Sequence, residues 1–464
     1  MPFCHHWTVS DVNLNSGCRP LVIAAVLALS WPASSQTLDE AMAIAYESSP
    51  ALEAARARLR AADEQAAQTD ARTRPSLSLH GDFGLKEHET QGSTKPASWS
   101  IGVDQILYHG AVAAGIDQSV HVVGSSRAGL AEVEQQVLLE VARSYAAVVL
   151  AHAILDRAIS NEQRLASHLE AAEDRFRLGL STLTDVAQAR ARLAGGRADR
   201  QRALGQVMSE SARFRQVVGI NPDSPGLPVV PDGLPADLEE ATARAVAEHP
   251  AVVRAVEDER AAWKTADILA SDLGPSLNLR AEFTRARDGN FEHVWRDDFR
   301  ILTRFVVPIY QGGLVSARTR EARQIAAALK QEVHNVRRQV EAGVVGAWQS
   351  LRVARAEIAA FEEEVAANAT ALEGANNELR AGLRTVLAVL DAEQALFISE
   401  VSLARARSQE VTAAYELLAA TGRLNVRSLG LPVAVYDERA YHAKARSTLW
   451  GYGDNTIDAD DWFE

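Results

Sequence analysis

The chain has 464 residues, 47% hydrophobic and 23% charged, with 6% aromatic residues, 15 Pro and a net charge of −13. That mix excludes a disordered chain, and the acidic balance excludes a general nucleic-acid binder, which needs a basic face. The only two cysteines, Cys4 and Cys18, both lie near the start, ahead of everything that reads as folded.

Residues 21–29 form an apolar run between Arg19 and the small residues Ala33, Ser34 and Ser35. A short apolar core followed by small residues reads as a secretory leader over 1–35, cut near Ser35 and Gln36 and too short to span a bilayer. Cleavage there removes both thiols and leaves a mature chain without disulfide chemistry. No later run approaches the length of a transmembrane helix.

Beyond the leader the chain repeats itself. Leu38-Asp39-Glu40-Ala41 opens a short helix that stops at Ser49-Pro50, and Leu238-Glu239-Glu240-Ala241 opens one that stops at His249-Pro250. An Ala/Arg-rich helix to Arg74-Pro75 matches one ending at Gly274-Pro275. Tyr108-His109-Gly110 matches Tyr310-Gln311-Gly312, Gly179-Leu180 matches Gly382-Leu383, and Gly219 matches Gly422. The offset stays near about 200 residues, so this is a duplication. The repeats are 36–220 and 237–425, joined by a Pro-rich linker over 221–236 and followed by an extension over 426–464, of which 454–464 is acidic and reads as a flexible tail.

Each repeat holds two alternating runs. Leu77, Leu79, Phe83 and Leu85 alternate with Ser76, Ser78, His80 and Asp82; Trp99, Ile101 and Val103 alternate with Ser100, Gly102 and Asp104. In the second repeat Leu277, Leu279 and Phe283 alternate with Asn278, Arg280 and Glu282, and Phe299, Ile301, Phe305 and Val307 alternate with Arg300 and Arg304. The strand pairs fall at about 76–108 and 276–309, joined by polar loops over 86–96 and 286–296. Runs of about ten residues with aromatics near their ends fit tilted strands of an outer membrane barrel, with Leu79, Ile101, Leu279 and Phe305 toward lipid and Ser78, Asp104, Arg280 and Arg304 toward a lumen. Four strands cannot close a barrel and an open edge cannot sit in lipid, so several chains must share one.

The remainder of each repeat is a long helical hairpin, about 112–219 and 314–422. From Leu351 the inward positions Ala354, Ile358, Phe361, Val365, Asn368, Leu372, Ala375 and Leu379 step by threes and fours, a coiled seam. Gly382 ends it and Val386, Val389 and Leu390 begin the return, with the tip near Gly382-Leu383-Arg384-Thr385. The helix over 112–178 spans roughly 100 Å; its return over 183–218 and the helix over 51–74 cover about 54 and 36 Å and together nearly match it.

No phosphate loop, dinucleotide fingerprint or zinc motif is present. His88-Glu89 reads as a solvated loop and Glu362-Glu363-Glu364 as a solvated helix face.

This order of parts resembles the TolC-type outer membrane efflux proteins, over residues 37–430. The resemblance rests on Leu38-Asp39-Glu40-Ala41 with Asn221-Pro222, Gly179-Leu180 with Asp185-Val186, Tyr310-Gln311-Gly312-Gly313, and Arg380-Ala381-Gly382-Leu383 followed by Val389-Leu390-Asp391-Ala392. It implies a mainly α fold with membrane β: long coiled hairpins forming a trimeric α-barrel in the periplasm, and four strands per chain completing a twelve-stranded barrel. It further implies a homotrimeric exit duct without enzymatic activity or cofactor, docking on a periplasmic adaptor and an inner-membrane ABC or RND-type transporter, for type I secretion or small-molecule efflux. The tail motifs Leu431-Pro432-Val433, Val435-Tyr436-Asp437, Tyr441-His442 and Leu449-Trp450-Gly451 look like the ending of such members. The resemblance maps a periplasmic gate onto Asp391, Arg384, Asp185 and Thr184, with Arg384 linked to Thr184 and Asp185. It maps adaptor docking onto the tips at Gly179, Leu180, Ser181, Gly382 and Leu383. Relatives carry two acidic residues one turn apart where this chain has Ala388 and Asp391, and a tyrosine where it has Leu379. A periplasmic adaptor or a structural coiled-coil envelope protein are the competing readings. The first needs one hairpin flanked by soluble β domains, and the second needs no strands.

Overall fold

The computed structural model describes residues 37–88, 92–223, 225–287, 294–449 and 451; the leader and the acidic tail lie outside the described residues. The first half runs α1 (Leu38–Ser48), α2 (Pro50–Ala71), β1 (Ser76–Phe83), β2 (Lys86–His88), β3 (Gly92–Thr94), β4 (Ala97–His109), α3 (Gly110–Arg177) and α4 (Leu183–Val218). The second half repeats it with α5 (Leu238–Glu248), α6 (Pro250–Ser271), β5 (Ser276–Arg287), β6 (Arg296–Val306), α7 (Leu314–Arg380) and α8 (Val386–Ala420). Two short helices, α9 (Val426–Leu429) and α10 (Ala440–Ser447), follow among the described residues.

The breaks have local causes. Thr37 and Glu40 form a capping box at α1, and Asp237 caps α5 through the Glu240 N–H. Ser49 and His249 are held extended by the proline that follows and open α2 and α6 at Pro50 and Pro250. One polar loop differs from expectation: residues 86–88 and 92–94 pair as a small antiparallel ribbon, Lys86 opposite Thr94.

The four long strands form one antiparallel sheet in the order β1-β4-β5-β6, so β1 and β6 are edges. Residues directly opposite in such a sheet share a face. Leu79 pairs with Ile101, Ile101 with Phe283 and Phe283 with Phe299; Leu277 pairs with Phe305. Asp104 pairs with Arg280, Gly102 with Glu282, and Asn278 with Arg304. One face is thus an exposed apolar band, with Leu79 72% and Phe305 65% exposed, and the other is polar, as the alternation predicts. A bulge between Ile106 and Tyr108 ends the regular register where β4 runs into α3.

The helices take the lengths read from the sequence: 68 residues in α3 and 67 in α7 against 36 in α4 and 35 in α8. Along α7 the positions 351, 354, 358, 361, 365, 368, 372, 375 and 379 are all turned inward. Contrary to expectation, α3 also contains one 18-residue window apolar enough to cross a membrane. Its apolar character has another cause, because α3 packs against α1, α2, α4, α6 and α8 and carries the central core residues Leu138, Val141, Tyr145 and Val148. That core joins α1, α2, the ends of α4 and α8, and the closing segment through Leu424, Val426 and Leu431. The linker crosses it, with the Tyr145 hydroxyl donating to the Gly226 carbonyl at 2.9 Å and Arg423 to that of Gly233 at 2.6 Å. Helix α10 is clasped to α2 by His442 on Asp63 (2.8 Å), Tyr441 on Glu64 (2.9 Å) and Arg446 on Asp70 (2.6 Å).

Candidate functional site: the hairpin tips

Both long hairpins reverse by the same device. At the first, Gly179 has φ +74°, its N–H reaches the Phe176 carbonyl, and the Leu180 N–H reaches that of Arg175. At the second, Gly382 has φ +76°, its N–H reaches the Leu379 carbonyl, and the Leu383 N–H reaches that of Glu378. This pair of bonds satisfies the last helical carbonyls and requires a left-handed residue, which glycine supplies without strain. Leu180 and Leu383 are left 75% and 77% exposed at the ends of the hairpins.

The return helices begin differently. Thr182 caps α4 by accepting the Asp185 N–H, and the Asp185 carboxylate accepts the Thr182 N–H at 3.0 Å and the hydroxyls of Thr182 and Ser181, each at 2.9 Å. These hydrogen bonds hold the Asp185 carboxyl below its ordinary range. Thr385 caps α8 through the Ala388 N–H, and Ala388 has no carboxylate to return.

Behind the tips the hairpins share a small core of Leu165, Ala172, Val186, Ala189, Leu193, Val386 and Leu390, with Leu379 packed against it. Two charged contacts tie α8 to the first hairpin. Asp391 accepts from Arg192 of α4 at 2.7 Å. Two residues further, about half a turn round the helix, Glu393, 3% exposed, accepts from Arg164 at 2.6 Å and lies 3.3 Å from His168 Nε2, both on α3. Burial alone would raise the Glu393 carboxyl, but the His168 hydrogen bond and the Arg164 charge bring it below its ordinary value. Further along the two helices Arg157 faces Glu400 (3.5 Å) and Arg143 faces Glu416 (2.7 Å).

Of the positions picked from the sequence, Asp391, expected as a member of an acidic ring, contacts Arg192 of the first hairpin within the chain, a pairing that was not predicted. The expected Arg384–Asp185 link is not made within the chain. Arg384 turns back onto Glu378 at 2.6 Å, and the Asp185 carboxylate is taken up by its own helix cap, with Thr184 exposed beside it. Arg164, His168 and Glu393 escaped the sequence reading. Their signal was there: Val386, Leu390, Glu393 and Phe397 follow the four-three-four spacing of an inward stripe, so Glu393 occupies a core position. Arg164 and His168 lie one turn apart on α3 and reach it together.

The family model described as outer membrane efflux protein matches residues 42–220 and 242–423. The chain is 31% identical to the outer membrane efflux protein BepC of Brucella suis, over 93% of this chain and 96% of that one. It is 24% identical to the outer membrane protein TolC of Vibrio cholerae, over 89% and 98%. Among solved structures it is similar to CusC, described as forming a transmembrane channel, with a TM-score of 0.75 at 18% identity over 83% of this chain and 92% of that one.

Proposed function

Because the chain belongs to the outer membrane efflux protein family, and is an exit duct of the outer membrane, we propose that three copies assemble into one passive channel. In this reading a periplasmic adaptor and an inner-membrane ABC or RND-type transporter dock at the tips and open it, without any reaction at the duct itself. The observation that carries the proposal is the open sheet, apolar on one face, with β1 and β6 as unpaired edges. Lipid leaves unpaired backbone groups unsatisfied, so β1 of one copy must meet β6 of the next, and three copies give twelve strands. The polar face, with Asp104, Glu282, Arg280 and Arg304, then lines water, and the long helices continue the duct through the periplasm.

We read the repeats 36–220 and 237–425 as the two quasi-equivalent parts of each third. The gate belongs at Asp391, Arg384, Asp185 and Thr184, where three chains bring their second hairpins around one axis and each Asp391 becomes part of a ring. Gly179, Leu180, Ser181, Gly382 and Leu383 form the tips offered to the adaptor, with Leu180 and Leu383 as their exposed apolar side chains. Native mass spectrometry of the detergent-extracted protein is expected to give three copies, and a stable folded monomer would overturn the assembly. Within it, Leu279→Arg on the apolar face is expected to cost about 2–4 kcal/mol, and Asn278→Arg on the polar face little. Equal tolerance would mean that these strands do not cross a membrane in this register.

A further inference from the structure

The apolar face of the sheet changes character at the end away from the helices. Along β5 the residues on that face are Leu277, Leu279, Ala281 and Phe283, followed by Arg285 and Arg287. Arg285 lies opposite Trp99, one row (about 7 Å) beyond Phe283, and Arg287 lies opposite Ala97, a second row out. Trp99 packs on Phe283 with ring centroids 5.5 Å apart. Trp295, just before β6, receives both cations: the Arg285 guanidinium lies 5.8 Å and that of Arg287 5.5 Å from its ring centroid.

All the long helices join the strands at the opposite end of the sheet, so in the outer membrane this end faces the cell exterior and the outer leaflet. An aromatic girdle is expected at that depth, but two arginines on the lipid-facing side are not required by the barrel. Their aliphatic stems cover apolar surface while the guanidinium groups reach the headgroup layer. Trp295 lies within cation–π reach of both guanidinium groups, which restrains the two side chains near one another and lowers the entropy lost on binding a shared anion. Arg285 also touches Asp297 on the same face at 3.3 Å, a half-exposed pair that competes weakly. Among the described residues no carboxylate pairs with Arg287.

We propose that Arg285 and Arg287, set over Trp295, form a binding site on each chain for the phosphate of an anionic glycolipid of the outer leaflet. Guanidinium groups match phosphate oxygens in a planar, bidentate fashion, and the neighbouring Phe283, Phe299 and Ile101 offer the acyl chains an apolar wall. The site is complete within one chain, because β5 is an inner strand with β4 and β6 on either side.

The proposal rests on the barrel reading above, and the test separates the two. Diphosphoryl lipid A is titrated into the detergent-extracted, full-length oligomer and bound copies are counted by native mass spectrometry. Arg285→Gln/Arg287→Gln is expected to weaken binding by about tenfold or more, the weight of two surface cations against an anionic headgroup. Arg300→Gln/Arg304→Gln removes the same charge from the polar face and is expected to leave binding unchanged. On the wild type, dephosphorylated lipid A is expected to bind at least about tenfold more weakly, and millimolar inorganic phosphate to displace nothing. Undiminished binding by the Arg285/Arg287 variant, or equal binding of the dephosphorylated lipid, overturns the site. Displacement by free phosphate overturns its assignment to a lipid. Failure of the wild type to form an oligomer would strike instead at the barrel.

Discussion

At the first hairpin tip, Thr182 and Asp185 satisfy one another and the start of α4; at the second, Thr385 caps α8 through the Ala388 N–H, and no carboxylate at 388 bonds back to the cap. The acidic groups near the start of α8, Asp391 and Glu393, pair with Arg192, Arg164 and His168 of the first hairpin. Duplication therefore copied the turn and not the electrostatics. The first tip is held by its own residues, whereas the placement of α8 depends on groups contributed by α3 and α4. If one hairpin moves relative to the other when the duct opens, these charged contacts between α8 and the first hairpin are the ones that must break.

Removing Glu393 tests this with the largest effect. Glu393→Gln leaves Arg164 beside a neutral amide; because Arg164 is partly exposed, the loss falls below that of a fully buried pair, at about 2–3 kcal/mol. Heat dissociation of the oligomer reads it. The sign with pH follows from the lowered Glu393 carboxyl, whose ordinary value is 4.5. Its contribution is complete above the unfolded value and is lost as pH falls through the lower folded value. The gap between wild type and variant should therefore persist at neutral pH and shrink below about pH 4.5. A gap unchanged into strong acid would mean that Glu393 contributes packing only.

The two glycines sharpen the part of the comparison that is the same. Gly179→Ala and Gly382→Ala each force a side chain into the left-handed region and should each cost about 1–2 kcal/mol. Hydrogen exchange at residues 176–180 and 379–383 is expected to rise similarly in both, and a cost at one tip alone would separate their backbones.

The turns were legible in sequence because each rests on a local rule: glycine for a left-handed residue, Ser-Pro and His-Pro for a helix start, alternation of two for strands. The strand faces followed because one residue of slip would expose every apolar side chain on the wrong side. The contacts between hairpins were not legible. Asp185 reads equally well as a cap or as an ion-pair partner, and only the fold shows Thr182 and Ser181 occupying it. Arg384 has Glu378 within reach across the turn, a pairing that a linear pattern does not rank above a distant one. Glu393 stood in an apolar stripe, but its partners are more than two hundred residues away and arrive only once α8 packs on α3.

A smaller effect comes from exchanging the caps. Asp185→Ala should cost about 1 kcal/mol, the value of a lost capping partner, and Ala388→Asp should return somewhat less, because the new carboxylate lies one turn from Asp391. Thermal unfolding of the pair of variants measures both. The Asp185 contribution, carried by a lowered carboxyl, is present above its unfolded value and is lost as pH falls through its folded one. If Ala388→Asp destabilises by as much as Asp185→Ala does, the tips differ by more than the missing carboxylate.

The smallest change in stability accompanies the most direct reading of the gate. Arg384–Glu378 and Arg192–Asp391 are short at 2.6 and 2.7 Å, but all four side chains are between about 39% and 56% exposed. Breaking either pair should cost no more than about 0.5–1 kcal/mol. Current through single channels in planar bilayers is the sensitive measure, because a ring of three identical groups acts on the axis without stabilising the fold. Arg192→Ala removes the cation that neutralises Asp391, so block by a divalent cation should tighten; Asp391→Ala should relieve that block whichever residue stands at 192. Arg384→Ala should raise resting conductance if its place at the second tip helps hold the duct closed, and leave it at the wild-type level if the Glu378 pair only finishes the turn. Opening in Arg192→Ala with no change in cation block would assign the closed state to the α4–α8 contact and remove Asp391 from the pore.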